Sequence, residues 1–277
     1  MKNVSMAEQM RNKMTYTTDE QCEVCGNYLT AWRKEERGKP FCEQCKAKGM
    51  KEQEEEQQRE WTRNAYQAKA IHRLKGSSLL KDKEVWNYTL DDYKGMDAET
   101  RQALDLARRA VWDTNEGKTL HFFFSGAAGV VKTTLSVGIL KKVLEADVNK
   151  KCVFIDYQYL LEETMRSFND DYLKKSINKI MNDIYKADLV IIDDIGSETS
   201  TAENKRQKAS DFTVKQLNSI LQARANKSTI ITTNLTGQQI KQAYGERIIS
   251  RIFAHSQGYT MAFKETKDKR MHPIIID

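Results

Sequence analysis

The chain of 277 residues lacks three features: a long hydrophobic run, an internal repeat and a strong excess of charge of one sign. The first absence argues against a membrane-spanning helix, and the second against an array of repeated structural units. The charges are nearly balanced, since 45 basic and 39 acidic residues leave a net charge of +6. Such a mild excess permits contact with nucleic acid but does not require it. We therefore expect a protein without membrane contact.

A glycine-containing loop is the most informative feature that is present. It follows an apolar stretch at 120–124 and precedes a helix-like stretch at 135–140. Strand, loop, Lys-Thr and helix in this order form the layout of a phosphate-binding P-loop, in which consecutive N–H groups and the helix N-terminus meet phosphate oxygens. We expect Lys132 to reach the terminal phosphates of ATP or ADP and the Thr133 hydroxyl to ligate Mg²⁺. The expected nucleotide-binding residues are Gly126, Ala127, Ala128, Gly129, Val130, Val131, Lys132, Thr133 and Thr134.

Valine at position 131 departs from the P-loop pattern, which has glycine before the lysine. A β-branched residue tolerates positive φ badly, and its side chain needs room where the backbone approaches a phosphate. Two interpretations remain open. In the first, Val131 takes helical angles as the first residue of the helix, and nucleotide binding survives. In the second, the site binds nucleotide poorly and works without turnover.

An apolar run at 188–196 contains two aspartates near its end, Asp193 and Asp194. It predicts a buried parallel strand whose carboxylates lie at the end where α/β sheets bind ligands. The run looks like a Walker B strand, so Asp193 would hold the Mg²⁺ shell, directly or through water. Asp194 sits where many ATPases carry the glutamate that orients the attacking water. Further strand-like runs at 151–156 and 228–234 complete a predicted α/β fold, with a central parallel sheet flanked by helices on both faces.

Four of the five cysteines form two Cys-x-x-Cys pairs, Cys22 with Cys25 and Cys42 with Cys45. The spacing is typical of a four-cysteine zinc ribbon or knuckle, in which each pair points two thiolates at one tetrahedral ion. Two disulfides or a redox dithiol are the alternatives. No signal peptide is visible, which disfavours disulfides. We predict one structural Zn²⁺, because four thiolates leave no open coordination position.

The composition divides the chain into three parts. Residues 1–50 would form the zinc-binding module. A nearly all-polar stretch rich in helix formers then predicts an exposed helical linker over 51–78. The composition is globular from there onwards, so 79–277 is predicted to form the ATPase domain.

The order of these motifs resembles the order found in one protein family. After the cysteine module and the linker come the segments 88–93, 193–198 and 232–234, and the sequence Gly-Glu-Arg-Ile-Ile-Ser-Arg at 245–251. The chain resembles the DnaC/DnaI-type replicative helicase loaders, a group of AAA+ ATPases, in a bacteriophage or bacterial version. The core motifs alone would equally suit the related IstB-type transposition ATPases. The cysteine module and the linker favour a loader.

The resemblance implies an AAA+ core that binds ATP and single-stranded DNA and assembles with further copies into an oligomer or spiral. The zinc module would hold a hexameric DnaB-type helicase, which the protein would deposit on single-stranded DNA in the bacterial cytosol during replication initiation. Asn234 matches the residue that senses the γ-phosphate, and Arg251 matches the arginine that acts on a neighbouring subunit's nucleotide. With Asp194, these two residues form the expected catalytic set. An IstB-like ATPase and a non-hydrolysing nucleotide-binding adaptor, in which Val131 has abolished turnover, remain as alternatives.

Overall fold

Two units make up the protein, Met1–Ala65 and Tyr66–Asp277. The computed structural model describes residues 11, 13–34, 36, 38–91, 97–129, 131–199 and 208–266.

An antiparallel hairpin lies in the first unit. It consists of β1 (Thr15–Gln21) and β2 (Tyr28–Trp32). Thr30 of β2 also pairs with Phe41, which brings the following chain alongside the hairpin. The turn between the strands and the residues after Phe41 are the segments that carry the two cysteine pairs. The hairpin therefore brings the two pairs together.

A long helix, α1, covers Glu43–Ser77 and runs from the first unit into the second. Ion pairs one turn apart, such as Lys48 with Glu52 at 3.9 Å, support its polar surface. Ala70 and Leu74 are buried near its end. The helix includes residues 51–77 of the stretch predicted as a helical linker, and it begins earlier, at Glu43.

Five strands form the sheet of the second unit. Their order across the sheet is β4-β5-β6-β3-β7, and each neighbouring pair is parallel. The strands are β3 (His121–Gly126), β4 (Cys152–Asp156), β5 (Leu189–Ile195), β6 (Ser228–Thr233) and β7 (Thr260–Phe263). The four strands expected from apolar runs are confirmed. Strand β7 was not predicted, because it has only four residues and alternates between exposed and buried positions.

Helices connect the parallel strands and cover both faces of the sheet, as parallel pairing requires. In chain order they are α2 (Ala98–Asn115), α3 (Lys132–Ala146), α4 (Tyr157–Arg166), α5 (Asp171–Lys186), α6 (Asp211–Ala223), α7 (Gly237–Tyr244) and α8 (Glu246–Phe253). Short 3₁₀ turns lie at Lys83–Asn87, Ser167–Asn169 and Ser197–Thr199. In the described ranges, no helix combines the length and the apolar character that crossing a membrane needs.

Alternate residues along each strand pack on opposite faces of the sheet. Phe122, Phe124 and Ile191 join one buried cluster with α2 and α3. Phe123 and Ile192 join another cluster with α4, α5, α6, α7 and α8. This alternation gives three layers, with helices on each side of the sheet. The predicted α/β class is confirmed, and the parallel strands direct their carboxyl ends to one edge.

Candidate functional site

The carboxyl end of β3 leads into the predicted phosphate loop. Gly126 ends the strand with a φ of 150°. A Cβ atom on Gly126 would lie 2.7 Å from Cβ of Phe263 and 2.8 Å from its carbonyl oxygen. Glycine at this position therefore lets β7 pair directly beside the start of the loop. Ala127 and Ala128 follow and are exposed.

Val131 adopts a left-handed backbone immediately before α3, with φ 67° and ψ 18°. The interpretation in which Val131 takes right-handed helical angles is therefore wrong. Gly129 also has a positive φ, of 79°, and Val130 lies outside the described residues. A left-handed conformation costs an L-residue roughly 1–2 kcal/mol, because its Cβ crowds the following carbonyl oxygen. The loop imposes on valine the conformation that glycine adopts without this cost.

The N-terminus of α3 differs in its capping from α2 and α4–α7. In those five helices a side-chain oxygen accepts a hydrogen bond from an N–H group of the first turn. Helix α3 starts after Val131, whose side chain makes no such bond, and α8, which starts after Gly245, also lacks one. Together with the partial positive charge of a helix N-terminus, this favours an anion in front of α3. Thr134 lies in this first turn and is half-buried.

The ammonium group of Lys132 is buried within the loop. Its Nζ donates to the carbonyl oxygens of Gly126 at 2.9 Å and Ala127 at 2.8 Å, and to Oδ1 of Asn234 at 2.9 Å. These three neutral oxygens hold the ammonium group at the mouth of the loop. An anionic phosphate oxygen would form a stronger bond with the same group than a neutral acceptor does.

The Thr133 hydroxyl contacts the strand that carries the aspartates. It lies 3.0 and 3.1 Å from the two carboxylate oxygens of Asp193. The Thr232 hydroxyl donates to Asp193 Oδ1 at 2.6 Å and accepts the N–H of Asp194 at 2.8 Å. Burial raises the pKa of Asp193 to about 6, against the effect of the hydrogen bonds from Thr232 and Thr133. A cation beside this carboxylate would favour its ionised form.

Asn234 joins the lysine to the second aspartate. Its Nδ2 donates to Oδ1 of Asp194 at 2.8 Å, while its own Oδ1 accepts the bond from Lys132. Asp194 has a positive φ of 56°, which orients its carboxylate toward this amide. The structure thus brings five of the predicted residues together at one edge: Lys132, Thr133, Asp193, Asp194 and Asn234.

Arg251 lies apart from these side chains. It belongs to α8, and its guanidinium donates to the carbonyl oxygen of Arg247 in the same helix at 3.4 Å. No hydrogen bond or ion pair joins it to Lys132, Thr133 or Asp193 within the described residues. The helix predicted around Arg251 is confirmed.

Thr232 is a site residue that sequence reasoning missed. Ile192 of β5 lies opposite Ile231 of β6, so the next residues, Asp193 and Thr232, meet at the ends of neighbouring strands. A hydroxyl at the last buried positions of a β-branched run is the signal that could have indicated it. Its two hydrogen bonds fix the carboxylate of Asp193 and the backbone of Asp194.

The four paired cysteines form the other candidate site. Their sulfur atoms all lie within 4.8 Å of one another. The sulfurs of Cys22 and Cys45 are 3.8 Å apart, and those of Cys25 and Cys42 are 3.3 Å apart. Sulfurs bound tetrahedrally to Zn²⁺ at about 2.3 Å are separated by about 3.8 Å. The donor set and its dimensions therefore fit one four-coordinate zinc ion.

The environment of the cluster favours a thiolate at Cys22 and disfavours one at Cys45. Backbone N–H groups of Cys25 and Val24 lower the pKa of Cys22 to about 7. Hydrogen bonds with the neighbouring thiols, first of all Cys25 and then Cys42, raise the pKa of Cys45 to about 12. A bound cation would favour the thiolate form of Cys45 against this rise.

Comparison with known proteins gives a family match over the second unit. A family profile described as "Bacterial DnaA ATPAse domain" matches residues 87–258, more than half of the chain. The protein named Replicative helicase loader DnaC from Escherichia coli (strain K12) is 27% identical over 172 residues, or 60% of this chain. The match spans 63% of the length of that relative. The protein of the same name from Buchnera aphidicola subsp. Acyrthosiphon pisum is 25% identical over 187 residues, covering 67% of this chain and 70% of the relative.

Solved structures share the fold. A crystal structure of the DnaC helicase loader has a TM-score of 0.52 and 27% identity, covering 66% of this chain and 100% of that chain. A DnaI structure has a TM-score of 0.52 and 22% identity, covering 69% of this chain and 95% of that chain. AMPPCP-bound DnaA from Aquifex aeolicus has a TM-score of 0.52 and 16% identity, covering 68% of this chain and 54% of that chain. The last two matches support the fold alone.

Replacing Val131 with glycine should stabilise the protein, because glycine removes the crowded Cβ from a left-handed backbone. Greater freedom of the unfolded chain offsets part of this gain, so we expect the free energy of unfolding to rise by about 1 kcal/mol. Urea-induced unfolding measures the difference. Val131→Ala is the matched control, since it keeps a Cβ at the same position. Equal stabilisation by alanine and glycine would contradict the assigned strain.

One zinc ion per chain should be found by metal analysis of the purified protein. Cys42→Ser should lose this zinc, because three thiolates hold the ion less tightly than four. Cys152→Ser is the control, since Cys152 is buried in β4 and is not one of the four clustered cysteines. Chelation should unfold the first unit while the second stays folded. Retention of zinc by Cys42→Ser would contradict the assignment.

Proposed function

Because the chain belongs to the family of bacterial DnaA ATPase domains, we propose that it is an ATP-dependent loader of a DnaB-type replicative helicase. The relatives named DnaC confirm the resemblance to helicase loaders that the motifs predict. In this proposal the protein binds the hexameric helicase and helps deposit it on single-stranded DNA during replication initiation. ATP binding and turnover control assembly on the helicase and release from it.

The observation that supports nucleotide binding most directly is the meeting of Lys132, Thr133, Asp193 and Asn234 in front of α3. We assign Lys132 to the terminal phosphates, because its ammonium group is already held at the mouth of the loop. Backbone N–H groups between Gly126 and Thr134 would surround the polyphosphate. Phosphate oxygens would take the places of the neutral acceptors that Lys132 now contacts.

Thr133 and Asp193 have the hydroxyl and carboxylate oxygens that Mg²⁺ prefers. These two side chains would hold the ion, directly or through water, and the ion would neutralise phosphate charge. Asp194 would orient the attacking water, and Asn234 would sense the γ-phosphate through the amide that now joins Lys132 to Asp194. The Thr232 hydroxyl keeps the Asp193 carboxylate in place for this role, and the Asn234 amide holds the carboxylate of Asp194.

The DNA-binding part of the proposal rests on exposed rings beside α5. Phe168 and Tyr172 have 65% and 85% of their surface exposed, and Lys174 and Lys175 follow in the same helix. Aromatic rings stack on bases, and lysines attract the phosphate backbone. Tyr157, in contrast, is fully buried and packs in the core.

The four-cysteine unit would provide the contact with the helicase. This assignment follows from the resemblance, since the ATPase core alone would also suit a transposition ATPase. The left-handed backbone of Val131 favours a second candidate function, that of an adaptor that binds nucleotide and does not hydrolyse it. Steady-state turnover by the wild type separates this adaptor from an active ATPase.

The loader proposal is tested with the full chain and the hexameric DnaB-type helicase of its own replication system. The wild-type protein should bind the helicase and place it on closed circular single-stranded DNA, where a ring must open to enter. Cys42→Ser should lose helicase binding and keep ADP binding, because the two sites lie in different units. Cys152→Ser should keep both.

Failure of the wild-type protein to bind any helicase offered would contradict the loader. A preference for duplex DNA, without helicase contact, would instead favour the transposition ATPase.

Arg251→Ala should abolish the turnover that single-stranded DNA or assembly stimulates, while the affinity for nucleotide stays unchanged. The reason is that an arginine acting on a neighbour's phosphate stabilises charge only in the transition state, an effect worth about 10³–10⁵ in kcat. Stimulated ATPase rates and titration with a fluorescent ADP analogue measure the two quantities. Arg247→Ala, one helical turn earlier, is the control and should retain stimulated turnover. Loss of ADP binding by Arg251→Ala would assign Arg251 to its own subunit's site.

A further inference from the structure

A third carboxylate lies just beyond the two aspartates of β5. Glu198 is half-buried in the short turn Ser197–Thr199 that follows the strand. It takes no part in the contacts with Lys132 or Thr133 described above. It lies between the end of β5 and α8, the helix that carries Arg251, and this position suggests a role other than nucleotide binding.

The turn that carries Glu198 is attached firmly to Asp194. The Ser197 hydroxyl donates to the carbonyl oxygen of Asp194 at 2.9 Å, and the N–H of Gly196 donates to Glu198 Oε2 at 3.0 Å. Gly196 has a φ of 99°, and a Cβ there would lie 2.4 Å from Cδ1 of Leu235. The turn is therefore restricted to one path, and a movement of Asp194 would move Glu198 with it.

The other oxygen of Glu198 is bound by a helix. The hydroxyl of Tyr244 donates to Glu198 Oε1, and Tyr244 is the last residue of α7, with only 4% of its surface exposed. Gly245 follows with a φ of 89° and begins α8. The bond therefore ties the turn after Asp194 to the point where the arginine helix starts.

The far end of α8 is held by the sheet. Nδ1 of His121, the first residue of β3, lies 3.0 Å from the carbonyl oxygen of Arg251. A carbonyl oxygen only accepts, so Nδ1 carries the proton and donates. Ile248 and Ile252 are buried beneath the helix. Both ends of α8 are thus attached to strands whose carboxyl ends form the candidate nucleotide site.

We propose that Glu198 and Tyr244 are positioning residues that couple the Asp194 turn of one subunit to the arginine that the same subunit presents to its neighbour. The inference rests on the proposed function, in which Arg251 acts on the neighbour's nucleotide. A change at Asp194 on nucleotide binding is passed through Glu198 to Tyr244, and from there to the start of α8. The nucleotide state of one subunit thereby sets the position of the Arg251 side chain that it presents to the neighbouring subunit.

The chemistry of the pair supports coupling over simple packing. Burial raises the pKa of Glu198, so its charged form is disfavoured where it lies. An apolar pair of similar size would pack there without the cost of desolvating a carboxylate. A carboxylate that accepts from Gly196 and from Tyr244 instead fixes the direction of two elements at once, which packing does not do.

The test mixes two inactive full-length variants. Asp194→Asn supplies Arg251 without turning over ATP, and Arg251→Ala turns over only with a neighbour's arginine. Their mixture should recover ATPase activity on single-stranded DNA. Tyr244→Phe added to the Asp194→Asn chain should lower the recovered rate about tenfold or more, because small misplacements of a reacting group are costly. The same change in the Arg251→Ala chain should leave the recovered rate little changed.

Two further variants separate positioning from general destabilisation. Glu198→Leu in the Asp194→Asn chain should act like Tyr244→Phe, since an apolar side chain bonds with neither Gly196 nor Tyr244. Tyr259→Phe is the matched control. Tyr259 is also a buried tyrosine, and its hydroxyl donates to the carboxylate of Asp113 away from α8. It should leave the recovered rate unchanged, and titration with a fluorescent ADP analogue checks that each variant is folded.

Several results would overturn the coupling. They are an equal loss with Tyr244→Phe in either chain, no loss in the Asp194→Asn chain, or the same loss with Tyr259→Phe. In each case the unmodified mixture still recovers activity, so the role of Arg251 stands and only the link fails. A mixture that recovers no activity removes the role of Arg251 on a neighbour, and the coupling fails with it.

Discussion

Parallel pairing of the strands is the constraint on which the candidate nucleotide site depends. Strands that run in one direction all end at the same edge of a sheet. Residues after β3 and β6 and the last residues of β5 therefore meet, although they are far apart in the chain. The bonds from Lys132 to Asn234 and from Thr133 to Asp193 are consequences of this arrangement. The two buried clusters on either side hold the strands in that order.

Several unfavourable features of the second unit lie at this edge. Val131 and Asp194 are the non-glycine residues with positive φ among those described. Asp193 is an acid whose ionised form is disfavoured by burial, and Lys132 is a buried cation. Each feature opposes folding and is held in place by the surrounding core. Such clustering is typical of a site arranged for a ligand, because a polyphosphate and a cation would satisfy these same groups.

Much of this arrangement follows from local patterns in the sequence. Apolar runs predicted four strands. The motifs around Lys132 and Asp193 predicted the edge of the sheet at which the candidate nucleotide site lies. What could not be predicted depends on contacts between distant segments. The hydroxyl of Thr232 contacts Asp193 only because β6 lies beside β5. The bond from Tyr244 to Glu198 joins the end of α7 to the short turn after β5. The backbone angles at Val131 could not be predicted either, because valine by itself disfavours the left-handed conformation that the loop imposes on it.

Glycine serves two separate needs in this loop, and comparing Gly126 with Val131 distinguishes them. At Gly126 a Cβ atom would collide with the backbone of β7, so space itself demands glycine. At position 131 the half-buried valine side chain is accommodated, so the demand is for a left-handed backbone rather than for space. A valine that meets this demand keeps the path of the chain and the start of α3 where Lys132 needs them. It follows that valine at this position acts on the energy of the loop through its backbone conformation.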